Sequence, residues 1–211
     1  GYPEFAKQIR AKGEKELRNK AEIKSRQELI TDGNKFLKDC QAVAPNDYIE
    51  ILRLLKNSTE LMPRFEKYGD SLGKEALKIG TLVHNAVTKL TARKKKMKED
   101  MESIFEMIAE ADSVESLSLA TECLTTVLDY KMAEKDKQIF QELQKTIADL
   151  QTDVKMIESY SDNRKIFENA IQQYREKYSD ENLEYDFIPV IEDCITQTKK
   201  KMDQEDANWR K

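Results

Sequence analysis

The chain has 211 residues and a net charge of −4, from 36 Lys/Arg against 40 Asp/Glu, so the total argues against general affinity for nucleic acid or anionic membrane. Six Gly and four Pro are too few for an all-β chain, which needs a turn every ~8–12 residues. Charged residues reach 36%, above the ~25% of an average globular domain, and the apolar residues recur at helical spacing. Together these predict an all-α fold: an elongated helical bundle with long antiparallel coiled-coil-like helices.

Gly1 to Phe5 read as a cloning scar, a short Pro-containing stub with a Glu-Phe ending. Residues 6–42 predict a helix of two qualities. From Lys7 to Glu28 its apolar residues are sparse (Ile9, Leu17, Ile23), with eight Lys/Arg against four Glu. Such a face rests on ion pairs such as Glu14–Arg18 and Glu16–Lys20, each worth ~0.2–0.5 kcal/mol. It frays unless a partner holds it. Leu29, Ile30, Phe36, Leu37 and Cys40 form the better half, with Gly33 inside it as a weak point of ~1 kcal/mol relative to Ala.

Pro45 ends that helix, and Asp47 with Glu50 has capping-box spacing for the next. Tyr48 to Met62 is the densest apolar stretch and implies a helix covered by more than one neighbour. Leu52, Leu55, Phe65 and Leu72 are the expected core around Pro63, which is read as a break or kink. A third helix is expected from Phe65 to Ala111. Along it Val83, Val87, Leu90, Met97, Met101, Ile104, Ile108 and Ala111 form a heptad stripe, with Lys94 at the missing step.

Asp112-Ser113 with Glu115 resembles a cap. The following helix carries Leu117, Leu124, Val127 and Leu128, then a polar stretch from Asp129 to Gln138. Phe140, Leu143, Ile147, Leu150, Val154 and Ile157 resume the stripe in strict alternation of three and four, an association seam in search of a covering surface. Tyr160 to Asn163 interrupts the register. Pro189 opens the last amphipathic helix as a first-turn residue. The expected organisation is residues 1–5 as scar, 6–111 as N-terminal helices with a local core around Pro45–Pro63 plus a long helix, and 112–211 as a long heptad helix and a C-terminal helix. All of it is read as one continuous elongated unit.

Chemistry-bearing constellations are scarce. Every His-dependent scheme must use His84, the single histidine, read here as an ordinary flank residue. Cys40, Cys123 and Cys194 are too dispersed for a disulfide framework or zinc set. They favour a reducing intracellular setting, cytoplasmic or nuclear. Gly69 to Lys74 resembles a phosphate loop but is one residue short between its glycines, and Glu75 replaces the required Ser/Thr. No enzyme activity, metal or cofactor is expected, and no apolar run approaches the ~18 residues of a membrane span.

The sharpest functional candidate is a basic block: Lys89, Arg93, Lys94, Lys95, Lys96 and Lys98, with no acid among them. Eight acidic residues and no basic one follow from Glu99 to Glu122. The plain reading is a solvated helix face. Docking on anionic lipid and a nuclear-import signal compete with it, and nucleic-acid binding ranks below all three. Long helices with a basic block midway along one are similar in outline, over roughly residues 64–211, to the BAR superfamily of crescent dimers. That resemblance implies docking on curved anionic membrane. The leading expectation is a non-enzymatic scaffold or adaptor that binds a protein partner, or a second copy of itself as a homodimer, through its heptad stripes. The alternative is a BAR-like peripheral membrane dimer.

Overall fold

The computed structural model describes residues 2–68, 73–180 and 183–209. Seven α-helices and no β-strand occur among them: α1 (Tyr2–Ala42), α2 (Tyr48–Tyr68), α3 (Gly73–Ala109), α4 (Val114–Leu128), α5 (Glu134–Ser159), α6 (Arg164–Tyr178) and α7 (Ile188–Trp209). The all-α class read from the periodicities holds. Packing divides the chain into two compact units, Gly1–Lys95 and Lys96–Lys211. The division therefore falls inside α3, not at the expected 111/112 junction.

In the first unit, α2 packs on the second half of α1. Arg64 on α2 reaches Asp32 on α1 at 2.6 Å. The Asp47 carboxylate accepts the Glu50 N–H at 3.0 Å and caps α2. The Glu50 carboxylate turns instead to Arg53, whose Nε donates at 2.8 Å, so only half of the expected box forms. The buried face of α2 is Ile51, Leu54, Ser58, Leu61 and Phe65.

That face corrects the expected core. Leu52 is 38% exposed and Leu55 is half-buried, while Phe65 is buried as expected; Leu72 lies outside the described residues. Pro63 also sits inside α2 instead of ending it. An interior proline costs about 3 kcal/mol. Leu61 and Phe65, buried on either side of it, offset that loss at ~1.5–3 kcal/mol apiece. Phe65 thus belongs to α2, and α3 begins only at Gly73. The φ of +77° there suits glycine and strains any L side chain.

The α3 stripe is covered: Val83, Leu90, Met97, Ile104 and Ile108 are buried and Val87 and Met101 half-buried, while Ala111, also buried, lies just past the end of the helix at Ala109. Its residues up to Lys95 serve the first unit, and those from Met97 onward the second.

The second unit gathers α4 to α7 around one core that includes Ile104, Leu124, Ile147, Leu150, Ile157, Phe167 and Ile191. Ser113 caps α4 in a box closed by Ser116, not by Glu115. Asp193 on α7 accepts the Val114 N–H at 3.0 Å, so a carboxylate from a distant helix completes the N-terminus of α4. The expected long helix from 112 onward is in fact three, α4, α5 and α6, because the chain leaves α-helix geometry between Leu128 and Glu134 and again between Ser159 and Arg164. Met132 is buried in that break. The Tyr130 hydroxyl donates to Asp100 at 2.6 Å, and burial together with that carboxylate pushes it up to about 12. The register interruption at Tyr160 is a short 3-10 turn, after which the Asn163 side chain accepts the Ile166 N–H at 3.1 Å and starts α6.

Candidate functional site

The six residues of the expected association seam lie inside the second unit's own core. Phe140 (4% exposed), Leu143, Ile147, Leu150, Val154 and Ile157 (0%) are all buried, and α5 packs against α4, α6 and α7. Phe140 meets Phe105 with ring centroids 5.5 Å apart. The Cys194 thiol approaches the Val154 carbonyl at 3.6 Å, and burial pushes that thiol up to about 11. The expectation of a stripe awaiting an outside partner is corrected here. A heptad spacing reports that one face is buried, and other helices of the same chain bury this one.

The basic block is less uniform than its sequence. In the first unit, Lys89 and Lys95 are exposed, Lys94 is half-buried, and the Arg93 guanidinium donates to the Ala44 carbonyl at 2.8 Å. Arg93 therefore tethers the α1–α2 connection and is not offered wholly to an outside ligand. In the second unit, Lys96 is exposed and Lys98 pairs with Glu102 at 3.2 Å. At 3.6 residues per turn, six positions within ten residues also spread around the helix instead of lining one side. The span 64–211, likened above to the long-helix outline of BAR domains, holds five helices from α3 onward, two of them only 15 residues long.

A polar cluster lies on the second unit. Asp153, on α5, accepts from Lys177 Nζ and from the Tyr178 hydroxyl, each at 2.5 Å. Burial, then that hydrogen bond, raises Tyr178 above the ordinary tyrosine value. A cleft of about 330 Å³ beside it is lined by Thr146, Asp149, Thr152, Leu183 and Phe187 as well. Asp153 is committed to two donors, so what the arrangement does is lock α5 to the end of α6. Arg175 forks onto Glu192 at 2.5 and 2.7 Å and ties α6 to α7.

The Arg175 hydrogen bonds hold the Glu192 carboxylate below the usual carboxylate range. A depressed folded-state pKa gives stability that is present above the unfolded value and lost as pH falls through the folded one. Thermal unfolding followed from pH 7 to pH 3 is accordingly expected to show a falling midpoint on the acid side. The fall is expected to be shallower in Glu192→Gln. The pair is half exposed, so the effect is small. Identical acid limbs in the two proteins contradict this assignment.

His84 is exposed on α3. No group of three or more His, Cys, Asp or Glu suited to a metal occurs among the described residues. Among them, too, no helix is long and apolar enough to cross a membrane.

The first half of α1 is a surface without cover among the described residues. On α1, the described side chains from Ala6 to Lys24 are all exposed. Ile9 is 56%, Leu17 69% and Ile23 55% exposed. Leu29 is the first residue of α1 to be fully buried. The ion pairs expected at Glu14–Arg18 and Glu16–Lys20 do not form among the described residues; those that do, Glu22–Arg26 at 3.8 Å and Lys24–Glu28 at 4.0 Å, are loose. The sequence signal for this surface was the thinness of its apolar face.

The fold and its surfaces define an all-α helical module. Comparison with protein-family models, with curated proteins and with solved structures returns no match.

Proposed function

We propose that the chain is a non-enzymatic helical interaction module, a scaffold or adaptor that engages a protein partner through the uncovered first half of α1. The observation that carries this reading is the contrast between α1 and α5. The α5 stripe is buried within its own unit, whereas some five turns of α1 expose every described side chain. An isolated helix of that length is marginal in water, and its three large apolar residues are too few to stabilise it alone. A partner that covers them supplies what the chain lacks.

Backbone amide exchange tests the reading. At low protein concentration, amides from Ala6 to Lys24 are expected to exchange orders of magnitude faster than those of Leu143 to Ile157. Protection of that stretch equal to the core in a dilute monomer would show the helix to be self-sufficient and would overturn the reading.

The alternative is electrostatic docking on anionic membrane, as in BAR-like dimers. Its support is the exposure of Lys89 in the first unit and of Lys96 in the second, at ~1 kcal/mol per basic residue near an anionic surface. Salt-sensitive cosedimentation with anionic liposomes separates it from the leading reading.

A further inference from the structure

The uncovered half of α1 has an internal symmetry that points to one occupant. Its stripe runs Ala6, Ile9, Gly13, Leu17, Lys20, with spacings of three, four, four and three, and so reads the same in both directions about Gly13. Two pairs of charges are antisymmetric about the same point, while Lys15, two residues after Gly13, is matched by the neutral Ala11. Lys12 and Glu14 lie one residue to either side, and Arg10 and Glu16 lie three to either side, basic before Gly13 and acidic after it. Glu14 and Glu16 form no ion pair with Arg18 and Lys20, so both carboxylates are available.

We infer that this segment pairs with the same segment of a second copy, antiparallel, with Gly13 on the two-fold axis. The inference rests on the reading of α1 given above and names its partner. In that arrangement Ile9 packs against the partner copy's position 17, and Leu17 against position 9. Gly13 meets Gly13, where no atom of the chain itself lies within 4 Å of an added Cβ and the backbones can approach closely. Arg10 and Lys12 lie opposite Glu16 and Glu14 of the other copy. The remaining basic residues fall opposite neutral ones: Lys7 opposite Asn19, Lys15 opposite Ala11, Arg18 opposite Gln8, Lys20 opposite Ala6. A two-fold axis makes every such contact twice, as an isologous interface requires.

Parallel pairing has no such match, because it sets Arg10, Lys12, Glu14 and Glu16 each beside the same residue of the other copy, like charge against like. With two large apolar residues per copy in the seam, the dimer is weak, concentration-dependent and salt-sensitive.

Two measurements on the full chain test this pairing. In the first, Ile9→Cys and Leu17→Cys are oxidised separately and as a mixture in which one carries a size tag. Antiparallel pairing predicts a mixed disulfide dimer in the mixture, above the background from Cys40, Cys123 and Cys194 in the parent, and little dimer from either variant alone. Dimer from each variant alone, at the level of the mixture, overturns the antiparallel geometry.

In the second, sedimentation velocity is run over a concentration series. The double reversal Glu14→Lys, Glu16→Lys is expected to weaken the dimer by about tenfold or more. Adding Arg10→Glu and Lys12→Glu is expected to restore it. A parent that stays monomeric throughout overturns the pairing. If the α1 amides exchange quickly in that monomer, the requirement for a different partner stands; if they are protected, both inferences fall.

Discussion

Replacing Leu150 with Asp is expected to unfold the second unit, not to release a partner. Leu150 is 1% exposed, between Ile147 at 1% and Val154 at 5% on the face of α5 that meets α4 and α7. Truncating such a leucine to alanine costs about 2–5 kcal/mol. Aspartate adds the desolvation of a carboxylate with no cation in that core, a further penalty of several kcal/mol. Set against a total stability of roughly 5–15 kcal/mol, the sum removes most or all of it. Adding Leu143→Asp leaves no margin. Far-UV circular dichroism should show a large loss of helix, and thermal unfolding should lose the transition belonging to this unit. Retained helicity with a loss of association is the opposite result, the one an exposed seam would give.

The second large effect is expected at Gly33. Within a helix, glycine to alanine ordinarily stabilises by about 1 kcal/mol. Here the added Cβ falls 2.6 Å from Ile79 Cγ2 and 2.9 Å from Phe65 Cζ. Both neighbours are buried, Ile79 at 6% and Phe65 at 6% exposed. Ile79 is β-branched and stiff at χ1, and the Phe65 ring also lies close to Gly80, where an added Cβ would meet it at 3.0 Å. Neither can give way cheaply, so overpacking of about 1–3 kcal/mol outweighs the gain in propensity. Gly33→Ala is expected to lower the denaturation midpoint of the first unit, and Gly33→Val to lower it further. A midpoint raised by Gly33→Ala would show that α1, α2 and α3 do not cross where these distances place them.

Legibility differed between the two kinds of feature. The helix class, the α3 and α5 stripes and the caps at Asp47 and Ser113 were readable because each depends on residues within a turn or two of one another. The association surface was half readable. The thin face around Ile9, Leu17 and Ile23 marked a helix that needs support, but the α5 stripe looked equally needy and was not. Leu52 and Leu54 illustrate the limit. On a helix apolar on most sides, hydrophobicity cannot choose between them, and tertiary packing buried Leu54 and left Leu52 at the surface.

By itself, then, the sequence determined that the chain is all-α, where its apolar stripes run, and that the first half of α1 carries too little apolar surface to cover itself. Those properties follow from backbone periodicity and composition, which act locally. Only the tertiary structure decided which stripes are covered within the chain, that Pro63 stays inside α2, that Gly33 is a crossing point and not a weak spot, and that α3 serves two cores. Each depends on which distant residues meet, as where Asp193 caps Val114 or Ile79 closes on Gly33. A periodic pattern states that a face must be buried, but its partner is chosen by the packing of the whole chain.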